Sequence, residues 1–411
     1  AGEYSAERGF LWQQYAKAQG KTVNRPLWAE ITVALAADDK AATGQLLSEF
    51  DERLPRYDRV NAARAVRDLR LAQTAAFEAQ SDQTDDDPTH LQLTETLLAF
   101  SDSAGFGMGR RELGSIDELL GGASYHLAIE PRLSLDIDAG NIQRRGRDEN
   151  IIRNVPNETL FNLRLNWQQA DGETRFSAGQ RESFARYTPL QLEHEQRIDN
   201  RLSFSFGLGS ELPASDTLAL RVAGMKDRAA FSLRYRPTRL DQIVLEHWHE
   251  RYQLQTGEAL GSGMHTALTA SHTVRQEARD LEFSAFWSNH QYDRKSDLSR
   301  FNAPEAAIAR LFPGNFTLTP GYFLPDDFSF AGLRVSTDVR YEKEYTRATR
   351  PFGSLAGTWH SNLGAGYDLR LGIAGSVFGA DHLALSLGLS KSGMQLGGQV
   401  RDLQLTYRIH Y

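Results

Sequence analysis

The sequence predicts two architectures in series, α followed by membrane β. An N-terminal α-helical segment of tetratricopeptide-like repeats occupies residues 1–95, and a ~16-stranded antiparallel transmembrane β-barrel occupies residues 96–411. Three observations carry this. Apolar residues recur three and four apart up to about residue 90, and every second residue from about 96 onward. Several alternating segments reach ten residues or more, matching the ~9–11 that cross a bilayer and exceeding the roughly 5–6 usual in a soluble sandwich. The chain also closes on a strand that is apolar on one face only.

In the helical segment the apolar stripe runs through Phe10, Leu11 and Tyr15, then Leu27, Ile31 and Leu35, then Leu46, Leu47, Phe50 and Leu54, then Val60, Ala63, Val66, Leu69, Ala72 and Ala76. Asp38-Asp39-Lys40 is the polar turn of a first helical hairpin that ends at Leu54-Pro55. A second hairpin runs from Tyr57 to about Gln80 and gives way to Asp85-Asp86-Asp87-Pro88. Pro55 and Pro88 are about 33 apart, close to the 34-residue tetratricopeptide period, and small Ala42 and Ala76 are spaced by about 34. A stable array needs about three such units, so further repeats are expected upstream. The chain begins Ala1-Gly2 with no initiator Met and no apolar leader, and reads as the C-terminal part of a longer protein.

In the second part, Leu133 to Asp138, Phe161 to Gln168, Leu202 to Leu208, Leu333 to Glu342, Tyr367 to Ile373 and Leu383 to Leu389 alternate cleanly. Turn signals at Asp171-Gly172, Asp199-Asn200, Lys226-Asp227 and Gly379-Ala380-Asp381 separate such runs. Trp167, Tyr187, Tyr235, Trp248, Trp287, Tyr292, Tyr341, Trp359 and Tyr367 fit the two interfacial girdles of a membrane barrel. In the last strand, Leu403, Leu405, Tyr407, Ile409 and Tyr411 alternate with Gln404, Thr406, Arg408 and His410. This resembles the terminal signature by which outer-membrane barrels are recognised for insertion, with Tyr in place of the more usual Phe. Such a strand pairs with the first to leave no edge in lipid.

Composition removes other classes. The 411 residues are 40% hydrophobic with mean hydropathy −0.48, and even the uncharged stretch from Gly353 to Tyr367 is broken by Ser, Thr, His and Asn, so nothing approaches the roughly 20 apolar residues of a membrane helix. The absence of cysteine removes disulfides, thiol catalysis and thiolate metal sites. A net charge of −7 implies no nucleic-acid partner.

No nucleophile elbow, phosphate loop, His-Glu-x-x-His or paired-carboxylate signature is present, so no catalytic residue and no cofactor is assigned. Gly105-Phe106-Gly107-Met108-Gly109 follows no βαβ pattern and reads as flexible backbone at the start of the barrel. His247 and His249 share one strand face, with Glu246 and Glu250 on the other; continuing Ile243 and Leu245 turns both histidines toward lipid, and no metal is assigned. With apolar residues facing lipid, Asp136, Asp138, Arg164, Arg334, Asp338, Arg340, Glu342 and Glu344 face a water-filled lumen and form a polar route for a hydrophilic solute. Arg294 to Phe330 is too long for a turn; its Pro304 to Phe312 helical stretch and its aromatics Phe316, Tyr322, Phe323, Phe328 and Phe330 read as a plug or gate folded into or over the pore. Asn141 through Asn157, basic at Arg144, Arg145 and Arg147, is a second loop of the same kind.

A helical-repeat arm feeding an outer-membrane barrel of this size resembles the exopolysaccharide secretins of Gram-negative biofilms, and most closely the PelB family. The residues that carry the likeness are the repeat pair between Leu27 and Pro88, the strands from Ala123 onward and the Leu403 to Tyr411 strand. The resemblance implies a polymer-conducting pore in the bacterial outer membrane. The repeats would lie in the periplasm and dock a polysaccharide-modifying enzyme like PelA, and a periplasmic lipoprotein like PelC would lie beneath the pore. It further implies a cationic polymer, partly deacetylated. Residues 1–95 hold 16 acidic and 11 basic side chains, net −5, leaving 37 and 35, net −2, for the barrel. Charge selection in the pore would therefore come from the position of Asp136, Asp138, Asp338 and Glu342. Exporters of cellulose or poly-N-acetylglucosamine share this layout, and a general nutrient porin with a structural arm remains the alternative.

Overall fold

The computed structural model describes residues 4–18, 26–82, 84–149, 151–275, 279–295, 311, 320–391 and 398–411. Six helices come first: α1 (Tyr4–Ala18), α2 (Leu27–Ala36), α3 (Lys40–Phe50), α4 (Arg56–Ala65), α5 (Leu69–Asp82) and α6 (Asp87–Leu98). The strands follow: β1 (Ser103–Leu113), β2 (Ile116–Glu130), β3 (Leu133–Gly146), β4 (Glu158–Gln168), β5 (Gly172–Glu182), β6 (Arg186–Tyr187), β7 (Leu190–Arg197), β8 (Leu202–Pro213), then helix α7 (Leu218–Ala223). After it come β9 (Gly224–Tyr235), β10 (Asp241–Leu254), β11 (Ala259–Arg275), β12 (Leu281–Arg294), β13 (Phe328–Thr337), β14 (Arg350–His360), β15 (Gly364–Gly375), β16 (Asp381–Lys391) and β17 (Gln399–His410).

All strands join one antiparallel sheet, and β1 pairs with both β2 and β17, from Ser103 opposite His410 to Leu113 opposite Val400. The sheet is therefore closed. β6 and β7 both pair with β5 in one register, Arg181 opposite Tyr187 and Ala178 opposite Leu190, and are two pieces of one strand interrupted at Thr188-Pro189. Pro189 has no N–H to give the ladder, its carbonyl accepts from Gly179 N at 2.9 Å, and Thr188 N donates to the Glu211 carboxylate at 2.8 Å. Among the described residues the barrel thus has 16 crossings, as the sequence predicts. Closure satisfies the backbone that lipid cannot, and the outer face carries the exposed apolar side chains Phe106, Met108, Leu163, Leu165, Leu333, Leu355, Leu371, Leu385 and Leu403.

Several expectations change at this level. The helical part extends past residue 95 to Leu98: the Asp86 carboxylate accepts from Thr89 N at 3.1 Å, and Asp87-Pro88, which follows the second hairpin, also opens a further helix, α6. α2, α4 and α6 start at residues 27, 56 and 87, spacings of 29 and 31 and not 34. Lys226-Asp227 lies inside β9, and Asn141 to Gly146 completes β3, leaving only 147–157 as the loop. Of the girdle aromatics, Trp167, Tyr235, Trp287, Trp359 and Tyr367 are exposed on the outer face, whereas Tyr187, Trp248, Tyr292 and Tyr341 face inward.

The hairpin turns of the arm meet the barrel at one end. Asp38 (φ 51°) and Arg67 (φ 61°) occupy equivalent left-handed positions, after α2 and after α4. The Asp38 carboxylate pairs with Arg197 at 2.9 Å and Arg236 at 3.6 Å, and Arg67 reaches the carbonyls of Gln169 and Gly172 at 3.5 and 3.4 Å. These are turns β4–β5, β7–β8 and β9–β10, which define the helical end of the barrel. Lys40 sits half-buried beside this seam, its pKa lowered by burial and then by Arg197 and Arg67. A lowered folded pKa means that the charged form costs stability at neutral pH, and that the cost fades as pH rises through the lowered value toward 10.5. Lys40→Gln is expected to slow proteolytic release of the arm from the barrel at pH 7, with the difference vanishing near pH 10.5; equal rates at pH 7 contradict this.

Candidate functional site

The alternation that turns apolar side chains outward aims the rest into the bore, and two regions of its wall stand out. Toward the helical end, an open cavity of about 510 Å³ is lined entirely by polar residues of β2, β3, β4, β5 and β7, among them His126, Asp136, Arg164, Glu173, Arg175 and Glu193. The Asp136 carboxylate accepts from Asn166 Nδ2 at 2.8 Å and lies 2.6 Å from His126 Nδ1. Asp136, Asp138 and Arg164 thus lie on inward-facing positions, Asp136 directly opposite Arg164. Glu173, Glu193 and Glu195 share this wall, and the alternation Leu190, Gln191, Leu192, Glu193 is the sequence signal for the last two.

The remaining lumen candidates fall elsewhere. β13 ends at Thr337, and Asp338 (φ 51°) turns the chain into a short 3₁₀ helix, Val339–Glu342. Asp338 is 1% exposed; its carboxylate accepts from Arg279 N and Asp280 N, both at 3.1 Å, so it braces two turns and meets no solute. Tyr341 packs inside the barrel on Phe352, Ala374 and Ala384, and Glu342 pairs with Arg370 of the inner wall. Arg340 and Glu344 are exposed on this same folded-in segment, and Arg334 stays on β13 with its guanidinium 5.3 Å over the Phe286 ring. A local α-left turn defeated the alternation here, which by residue type ran on to Glu342.

At the far end the connecting loops pack on one another. Ile116, Ile152, Ala219, Leu220, Val222, Leu254, Leu260, Leu311, Phe323 and Leu324 form the largest buried apolar cluster, and they come from five far-end connections. Phe323 is wholly buried, the Tyr322 hydroxyl donates to Ile151 O at 3.2 Å, and Phe328 is 6% exposed where the long loop rejoins the wall; Phe316 and most of Pro304 to Phe312 lie outside the described residues. The long loop is not alone, because α7 of the β8–β9 loop lies at the centre of the cluster. Thr217 caps α7 through Leu220 N at 3.2 Å, and its hydroxyl donates to Phe323 O at 2.7 Å, tying the two loops together. At Gly224 any Cβ would stand 2.6 Å from the Leu220 side chain and 2.8 Å from its carbonyl, so only glycine lets β9 start directly from this turn.

Charge latches α7 to the wall. Arg221 reaches across to Glu118 of β2 with two bonds of 3.0 and 2.8 Å. Glu118 also takes Arg144 of β3 at 3.0 Å; Arg144 in turn pairs with Glu158, and Arg181 reaches Glu158 at 2.6 Å. Both carboxylates and Arg144 are almost wholly removed from water. Removing one member of such a group leaves an uncompensated buried charge. The long loop is gripped at its root: the Phe328 ring stacks between His290 and His360, each 4.4 Å away. His247 and His249 are exposed and turned away from inward Trp248 and Glu250, and among the described residues no cluster of three or more metal-ligand side chains occurs.

A closed 16-crossing barrel with a polar bore and a loop-packed mouth defines the class of outer-membrane β-barrel channels. The chain belongs to the PelB family: the sequence profile described as "PelB, C-terminal beta barrel domain" matches residues 98–410. Its fold is similar to that of a structure described as a bacterial polysaccharide outer membrane secretin, at 8% identity and TM-score 0.54, covering 76% of this chain and 99% of that one. CdiB from Acinetobacter baumannii (8% identity, TM-score 0.42, 75% of this chain and 60% of that one) and OccK5 from Pseudomonas aeruginosa (8%, 0.38, 76% and 97%) also match. No curated protein matches.

Glu118→Gln is expected to cost about 3–5 kcal/mol of barrel stability, read as a fall in the urea midpoint of heat-modifiable migration. A change within about 0.5 kcal/mol would mean that the network is not structural.

Proposed function

We propose that this chain is an outer-membrane channel that exports an exopolysaccharide, with the helical arm in the periplasm at the intake end and the packed loops closing the outer mouth. The observation that carries this reading is the combination of a polar inner wall with a mouth filled by two tethered loops, within a family of outer-membrane barrels. A hydrated polymer needs a wall that hydrogen-bonds weakly at many places and binds tightly at none. The wall at the helical end fits, because Asp136, Glu173 and Glu193 alternate with Arg164 and Arg175 and each finds only nearby partners. With Asp138, and with Glu195 and its partner Arg234 at 2.8 Å, this wall holds five carboxylates against three arginines. A cationic, partly deacetylated polymer such as Pel is the cargo that suits them. In this reading the arm docks a PelA-like polysaccharide-modifying enzyme, and a PelC-like lipoprotein lies beneath the barrel.

The loops are the gate. Phe323 and Phe328 hold the long loop, α7 fills the centre, and the Glu118–Arg221 bond is the contact that opening has to break. Planar-bilayer conductance separates the alternatives. The intact chain is expected to conduct poorly, and deletion of residues 300–325 together with Arg221→Met is expected to raise conductance several-fold. A cationic aminosugar polymer added on the arm side is expected to block the opened channel, while a neutral glucan is not. Equal conductance of both forms contradicts the gate, and block by the glucan alone moves the cargo to the cellulose class.

A further inference from the structure

Below the packed mouth the wall holds a second, partly enclosed cavity of about 220 Å³ that the export path as described does not use. A 150 Å³ cavity admits benzene, so this one admits a single six-membered ring with substituents. Its apolar surface comes from the rings of Trp248 on β10, Tyr292 on β12 and Phe328 on β13, the last two 6.3 Å apart and inclined by 25°. Its polar surface is charged but balanced. Lys226 Nζ lies 2.9 Å from Glu250 and 3.2 Å from Asp216, Arg228 Nε lies 3.7 Å from Glu250, and the Arg228 guanidinium stands 5.2 Å over the Trp248 ring. Two acids face one lysine and one arginine, and His290 completes the lining. An ion entering would have to displace one of its own sign from a fitted pair, whereas a neutral ring with hydroxyl groups adds hydrogen bonds to charges that stay paired. The Phe328 ring is already held face to face between His290 and His360 and offers only its edge, so the part-exposed rings of Trp248 and Tyr292 supply the apolar contact for the C–H groups of such a ring.

From this juxtaposition we infer that the cavity is a binding subsite for one neutral pyranose unit, read by the loops that close the mouth. Its walls include the roots of both loops. Asp216 immediately precedes Thr217, the residue that caps α7 and bonds the long loop; Phe328 is the first wall residue after that loop. The Tyr292 hydroxyl donates to Asp216 at 3.4 Å, so a sugar seated on Tyr292 touches the anchor of α7 directly. The subsite therefore differs in kind from the wall at the helical end: it selects uncharged residues of a chain and not its ammonium groups. This inference rests on the export reading for its ligand source.

The test is calorimetric titration of the full chain in detergent with N-acetylglucosamine tetramer and with the same tetramer fully deacetylated. Saturable binding of the acetylated form is expected, at least tenfold tighter than the deacetylated form. Trp248→Leu should weaken it about tenfold, and Trp248→Phe, which keeps a ring, no more than about threefold, with heat-modifiable migration verifying the fold of each. Should Trp248→Leu fail to fold, Tyr292→Leu removes a second ring and should weaken binding comparably. Unchanged binding in the leucine variant, tighter binding of the deacetylated tetramer, or no saturation overturns the subsite. Polymer block of conductance is measured separately, so a chain that is blocked yet binds no tetramer loses only the subsite, and one that binds tetramer yet is never blocked loses only the export reading.

Discussion

Backbone hydrogen bonding in lipid is the constraint from which the rest follows. A peptide group in hydrocarbon has no water to fall back on, so the sheet must close on itself. Here closure falls between β1 and β17, residue by residue from Ser103–His410 to Leu113–Val400. Once the backbone is closed, alternation divides the side chains: Phe106 and Met108 outward to lipid, Gly105 and Gly107 inward, and likewise around the ring. A chain with mean hydropathy −0.48 is then a membrane protein because its apolar residues are placed, not because they are many.

Sixteen crossings enclose more space than their own side chains fill, and the chain occupies that space from both ends. At the far end apolar contacts gather the loops around α7, and at the helical end the Tyr341 segment packs against the inner wall. The two ends have different physics. Tyr341 is fixed by packing and by Asp338 bonds within one region of the wall, whereas α7 is held by the buried ion pairs of Glu118. Buried ion pairs add little net stability against an apolar alternative but fix one arrangement sharply, which is what the proposed gate, seated or withdrawn, would need.

The strand alternation at Phe161–Gln168 and Leu403–Tyr411, the count of about 16 crossings and the change from helix to strand were all legible in the sequence, because side-chain period records which face meets lipid. What depended on single backbone angles or distant partners was not. Asp338 read as a lumen residue because nothing in Val335-Ser336-Thr337-Asp338-Val339 announces a left-handed turn. Arg144 read as part of a basic loop because its partners Glu118 and Glu158 are remote in sequence. Asp86 and Pro88 carry two signals at once: the same residues end one helix pair and cap the next helix. The long loop was recognised by its length and aromatics, but α7, only six residues long and flanked by ordinary loop residues, gave no periodic signal at all.

The central claim, that α7 seats and unseats to govern passage, is open to one direct measurement because the chain has no native cysteine. The Ser183 hydroxyl donates to the backbone carbonyl of Val222 at 3.3 Å, which sets the two chains side by side, and Ser183→Cys with Val222→Cys is the pair chosen to tether α7 beside the end of β5. Release of polymer from vesicles carrying this variant is expected to stop under oxidising conditions and to resume on addition of reductant. Equal release in the oxidised and reduced states, with the disulfide verified, would contradict the account.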